Sequence, residues 1–239
     1  MKHIQVLPDK ATLITEALSC MVAKIRAAIQ ERGLCTLALA GGSTPKPLYE
    51  ALAEQSLPWE KIHIFWGDER YVGADHSDSN QRMARQAWLD RVPFPPENIH
   101  PMPTNSNDPS KDAQDHETEL QQFFQLKAGE FPVFDIILLG MGDDGHTASL
   151  FPKTAALKVS DRLVTVGNKD GQPRLTFTLP VLNNARYVVF LVAGENKRPA
   201  LAEIFAEVAD ETLYPSRSVQ PQGELLWFLD QAAGAELKS

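Results

Sequence analysis

Cysteine is nearly absent: Cys20 and Cys35 are the two in 239 residues. They lack the spacing of a metal site, and a catalytic or disulfide role is the lesser alternative. Both read as buried thiols in a reducing compartment. No apolar run approaches the length needed to span a bilayer. The opening MKHIQVLPDK has no apolar core of a signal peptide, so a cytosolic location is expected. Positive charge is also short: 23 Lys and Arg stand against 31 Asp and Glu, a formal net charge of -8. That argues against broad binding to nucleic acid or to an anionic membrane. An anionic ligand would need a local cationic pocket set against this field. No repeat, low-complexity segment or clean linker appears. With 43% hydrophobic and 23% charged residues, the chain can bury a sizeable core.

Residues 134–152, FDIILLGMGDDGHTASLFP, organise the chain. The buried-type run Ile136-Ile137-Leu138-Leu139 breaks at Gly140 and Gly142. Asp143, Asp144, Gly145 and His146 follow, and 147–150 suits a helix start. Open α/β sheets place their chemistry beyond the carboxyl ends of strands.

Three other apolar runs end the same way: 34–39 before Gly41, 62–66 before Gly67, and 187–192 before Gly194. Shorter strands are expected at 163–166, 174–178 and 225–229. Helical spacing covers 10–32, with Leu13, Ala17, Met21 and Ile25 on one stripe. Further helices are expected from Pro45 to about Ala53, over 81–89 behind a Ser-Asp-Ser-Asn cap, over 111–127, and over 199–209. Residues 93–109 read as an irregular connection. Strands alternating with helices predict one α/β domain over residues 1–239, Rossmann-like, with a mostly parallel central sheet and helices on both faces.

In a parallel sheet the four glycine-terminated strands end on one edge. Ser43, Thr44, Asp68, Arg70, Asp144, His146 and Lys197 should therefore gather there. Gly42, Ser43 and Thr44 form a turn before a helix, which suits a phosphate; a tight turn with a hydroxyl cap is the plainer alternative. It matches neither the dinucleotide fingerprint nor the P-loop, nor does GGSTP match a serine hydrolase elbow. Arg70, Lys197 and Arg174 are the candidate cations; each also suits an ordinary surface charge. An unperturbed imidazole changes charge near neutrality, which makes His146 a candidate acid/base. Asp144 is one candidate to orient it, though next-but-one residues need not face each other. No metal-ligand spacing surrounds His146.

Taken together, LALAGGSTPKPLYEAL, FWGDERYV, SDSN, ENIHPMPT, LLGMGDDGHTASLFP, PRLTFTLP, FLVAGENK and SRSVQPQGELLWFLD resemble the 6-phosphogluconolactonase family, lactone hydrolases of the pentose phosphate pathway. The resemblance spans nearly the whole chain. The related glucosamine-6-phosphate deaminases carry an acidic residue five places after the motif histidine, where this chain has Phe151, and lack the arginine at Arg70. Both departures point to the lactonase.

The resemblance implies catalysis by His146, supported by Asp144, on a sugar-phosphate lactone. Gly42, Ser43, Thr44, Arg70, Lys197 and Arg174 would hold the phosphate, and Asp68 would orient hydroxyls or neighbouring groups. It implies no metal or organic cofactor, and a monomer or weak homo-oligomer. A deaminase, and a sugar-phosphate-binding regulator without turnover, are the alternatives.

Overall fold

The computed structural model describes residues 2–237. Strand β1 (Lys2–Leu7) leads into helix α1 (Lys10–Arg32), capped by the Asp9 carboxylate and stopped at Gly33, whose φ of 84° is left-handed. Then come β2 (Cys35–Leu39), α2 (Lys46–Ala53), β3 (Ile62–Trp66), β4 (Asp68–Arg70) and α3 (Asn80–Ala87). They are followed by α4 (Pro109–Phe123), β5 (Ile136–Leu139), β6 (Val164–Lys169), β7 (Gln172–Phe177) and α5 (Leu179–Asn183). The last are β8 (Tyr187–Val192), α6 (Arg198–Phe205), β9 (Glu224–Asp230) and α7 (Gln231–Gly234).

Six strands form one parallel sheet in the order β1-β9-β8-β5-β2-β3. Successive side chains of its strands point to opposite faces and feed two cores. Leu37, Leu39, Ile136 and Leu138 pack with α1, α2 and α3. Ala38, Ile137, Leu139 and Phe190 pack with α4 and α6 on the other side. The mostly parallel sheet with helices on both faces is the expected α/β class.

Chain order reverses at the centre. β2 is followed by β3 on one side, and the chain then returns to place β5 on the other. The β2–β5 boundary is thus a topological switch point, where open sheets leave a crevice.

Three expectations change. β1, exposed at all but its last position, was not foreseen; it forms because β9 supplies a parallel partner along its whole length. Residues 147–150 make no helix. Gly145 at φ 77° and Ala148 at φ 47° turn the backbone left-handed, and Thr147 bridges Leu150 instead. Asp68–Arg70 is a strand and not only a loop. It joins a second, antiparallel sheet in the order β4-β7-β6. The expected helix cap at 77–80 is Ser79, which accepts from Arg82 N–H.

The irregular segment 93–109 covers the outer edge of β3. Ile99 bridges Ile64, and the His100 ring lies on Phe65 at 4.4 Å while bonding Glu119 of α4. This pairing protects an edge strand that would otherwise be open.

Candidate active site

A cavity of about 240 Å³ opens at the carboxyl edge of the sheet, between the ends of β2 and β5. Gly42, Ser43, Thr44, Asp68, Arg70, His146, Arg174 and Lys197 line it. Asp144 is not on its wall and stands behind His146. Thus strands distant in sequence deliver their polar ends to one place; of the residues the shared glycine breaks were expected to gather, Asp144 lies off the wall, while Arg174 reaches it from β7 of the small sheet.

His146 is positioned by its own loop. Gly142 N–H donates to His146 O at 2.9 Å, and Gly145 N–H donates to Gly142 O at 3.0 Å. His146 Nδ1 lies 2.5 Å from Asp144 Oδ1, and its backbone N–H reaches the same oxygen at 3.1 Å. Burial pushes the Asp144 carboxyl up, but these bonds from His146 outweigh it and hold the group down at about 2. An ionised carboxylate only accepts, so Nδ1 carries a proton, and in the neutral ring Nε2 is the nitrogen with the free lone pair. Asp144 is therefore the acid that orients the histidine, the question the sequence left open.

The ring needs room that a side chain at 142 would remove. A Cβ there would stand 2.0 Å from His146 Nδ1 and 2.6 Å from Asp144 Oδ1. On its other contact the ring meets Phe151, centroid to centroid at 4.5 Å.

The cationic wall comes from the small sheet. Arg70 and Arg174 are register partners on β4 and β7. Among the described residues the Arg70 guanidinium donates one bond, to Asp78 O at 2.7 Å. Burial and the nearby Arg70 charge both lower the Arg174 pKa. Each guanidinium has its Nε buried without a partner. Two like charges brought this close call for an anion between them.

Lys197 completes the cluster from the loop after β8. It pairs with Asp143 Oδ1 at 2.5 Å, and Asn196 bonds the same oxygen at 2.9 Å. Lys197, with the Asn196 bond opposing burial after it, draws the Asp143 carboxyl below its usual range. Asp143, which sequence reading passed over, is thus the residue that fixes Lys197. The signal was its place beside Asp144, but its partner lies 54 residues away.

The glycine turn is built without a side-chain cap. Pro45 sits at the start of α2 and no side chain bonds its first amides. The hydroxyl-cap reading of Ser43 and Thr44 is therefore set aside. Gly42 has φ 93°, which lets the chain turn over the cavity. Tyr49 anchors the turn from below: Ala40 N–H donates to its oxygen at 3.0 Å and the hydroxyl donates back to Ala40 O at 2.7 Å.

Asp68 is buried and accepts from Ser149 Oγ at 2.6 Å. Asn80 Nδ2 donates to Asp68 O at 2.9 Å and packs against Gly41, where a Cβ would lie 2.0 Å from Asn80 Oδ1. Both thiols lie outside this cavity and are unpaired. Burial pushes each above the usual thiol range, which suits packing and not nucleophilic chemistry.

The profile of the family "Glucosamine-6-phosphate isomerases/6-phosphogluconolactonase" matches residues 8–227. This chain belongs to that family. It is 67% identical over 236 residues to a Synechocystis sp. protein named 6-phosphogluconolactonase, covering 99% of this chain and 98% of the relative. A 6-phosphogluconolactonase of Mycobacterium tuberculosis is 35% identical, with 99% and 98% covered. The solved 6-phosphogluconolactonase of Trypanosoma cruzi superposes with a TM-score of 0.90 at 32% identity, covering 100% and 98%. The family match runs from α1 into β9 and includes every strand that delivers a residue to the cavity.

Proposed function

We propose that this chain hydrolyses 6-phospho-D-glucono-1,5-lactone to 6-phospho-D-gluconate, the lactonase step of the oxidative pentose phosphate pathway. The full-length likeness to proteins named 6-phosphogluconolactonase supports the reaction. One observation carries the chemistry: a histidine with Nδ1 committed to Asp144 lines the same cavity as Arg70, Arg174 and Lys197.

In this reading the phosphate lies against Gly42, Ser43 and Thr44, with the three cations supplying charge. The Nε2 lone pair of His146 takes a proton from water as the oxygen attacks the lactone carbonyl carbon. The carbonyl π electrons move onto oxygen, giving a tetrahedral oxyanion. Its collapse breaks the bond from that carbon to the ring oxygen, which takes the proton back from Nε2. Asp144 steadies the imidazolium in between. General acid/base help of this kind contributes about 10²–10⁴-fold. Asp68, held by Ser149, is placed to orient substrate hydroxyls.

Phe151 weighs against the deaminase reading, because an acid is expected there in deaminases and an aromatic ring here abuts His146. A cytosolic monomer or weak homo-oligomer belongs to the same proposal, supported by the two unpaired thiols for the compartment. The deciding assay follows acid release from the lactone above its spontaneous opening. A rate that His146→Ala removes, with the fold intact by circular dichroism, supports the proposal. Full activity in that variant would dismiss His146 as the base, and ammonia release from glucosamine 6-phosphate would favour the deaminase.

A further inference from the structure

Phe151 contributes nothing to the cavity wall, yet it touches two residues that do. Its ring lies 4.5 Å from the His146 ring, tilted by 44°. The Arg174 guanidinium carbon lies 5.7 Å from the centroid of the same ring, and Lys169 Nζ, which does not line the cavity, also lies 5.7 Å from it. Phe151 itself is 5% exposed, packed in the core beneath the site.

Arg174 has few other ties. No ion pair or side-chain hydrogen bond holds it among the described residues. Across the ladder it faces a like charge, Arg70. A cation within about 6 Å of an aromatic face is attracted by the ring quadrupole. That attraction orders the guanidinium and leaves its charge intact for a ligand.

We propose that Phe151 is a positioning residue that sets both the base and a phosphate-binding cation, and that its lack of charge is the feature that matters. This rests on the lactonase reading of the same cavity. A carboxylate at 151 would pair with Arg174 and cancel part of the charge meant for the substrate. It would also give His146 a second acidic neighbour, and a nearby carboxylate favours the charged form of an imidazole. An aliphatic side chain would fill space but would neither orient the ring nor attract the guanidinium. Phenylalanine satisfies both demands with one neutral group.

The test replaces Phe151 with phenylalanines carrying one, two or three ring fluorines, which keep size while weakening the quadrupole. Phe151→Leu, Phe151→Tyr and Phe151→Glu accompany them. Lactone hydrolysis is measured as kcat and KM across pH, with calorimetric binding of 6-phosphogluconate and NMR titration of the His146 ring.

Fluorination should raise KM and weaken 6-phosphogluconate binding step by step, about 3- to 30-fold over the series, with Tm held. Phe151→Tyr should restore both, and Phe151→Glu should move the His146 titration upward. Unchanged binding across the fluorinated series, together with an unmoved His146 titration in Phe151→Glu, would overturn the proposal. A chain that turns over no lactone but still shows the graded loss of binding would sink the lactonase reading and keep the positioning role.

Discussion

Arg70 and Arg174 lie directly opposite each other on the β4–β7 ladder, and the Nε of each is buried without a hydrogen-bond partner. Like charges placed directly across a strand pair are destabilising. The arrangement persists because the strands are held elsewhere, including by Phe177 N–H on Gly67 O at 2.8 Å. A bound anion would relieve the repulsion. Saturating 6-phosphogluconate, at a hundred times its Kd, should raise stability by about 2.7 kcal/mol. For a chain of this size that corresponds to roughly 5–10 °C in Tm. Arg174→Gln should lose most of that ligand-dependent rise while its Tm without ligand stays level or increases. A scanning fluorimetry series with and without ligand reads both. A ligand-free Tm that falls sharply would show that Arg174 serves the fold.

Gly142 is the second test. A Cβ there would overlap the His146 ring and the Asp144 carboxylate, both of which are side chains at a partly exposed site. The ring would move before the backbone did. Gly142→Ala should therefore keep its unfolding free energy within about 1 kcal/mol of the parent and lose on the order of 10²-fold in kcat or more, the part that a positioned base supplies. Activity near that of the parent would mean the loop tolerates a displaced imidazole.

Asp144 gives a stability effect of defined sign. Its carboxyl is held at about 2 in the fold, below the ordinary value near 3.9. The fold thus favours the ionised form. The contribution is present above about pH 4 and is lost as pH falls from there through about 2. Half-exposure of the side chain keeps it modest. In acid titrations followed by urea unfolding, the parent and Asp144→Asn should differ above pH 4 and converge near pH 2. At neutral pH the same variant should lose activity about 10²-fold, since an amide no longer selects the Nδ1–H tautomer. Curves that stay parallel through pH 2 would contradict the assignment.

What could be read in advance, and what could not, follows from range. β2, β3, β5 and β8 announce themselves as apolar runs closed by glycine, because burial on both faces removes polar positions. Their common edge then follows from parallel pairing, and His146, Arg70 and Lys197 with it. Asp144 could be nominated but not chosen, since only the left-handed turn at Gly145 brings its oxygen back under the ring. The Asp143–Lys197 pair and the Arg70–Arg174 register join residues 54 and 104 positions apart; no local pattern encodes either. The helix expected at 147–150 failed because Thr147 Oγ1 bonds back to Gly140 O at 2.8 Å and Ala148 accepts a left-handed φ. β1 was invisible for a similar reason: its partner β9 is at the far end of the chain.

Glu69 supplies the last expectation, with the opposite sign to Asp144. It is buried between Asp68 and Arg70, accepting from the backbone N–H groups of Arg70, Asn80 and Gln81. Burial pushes its carboxyl up to about 6, against the pull of those three amides. The fold therefore favours the protonated form relative to the unfolded chain, whose Glu titrates near 4.3. That contribution is complete below about pH 4 and is lost as pH rises through about 6, on the order of 2 kcal/mol in all. Above that range the ionised carboxylate remains tolerated because it caps the start of α3. The site should register the change, since the segment bonded to Glu69, residues 79–81, directly follows Asp78, whose carbonyl holds Arg70. Urea unfolding of the parent between pH 4 and 7 should show a decline that Glu69→Gln lacks. That variant should be less stable at every pH, because its amide nitrogen, a donor only, cannot accept the two hydrogen bonds that the carboxylate oxygen it replaces accepts now. A parent profile flat across this range, with Glu69→Gln parallel to it, would show that the carboxyl stays ionised throughout.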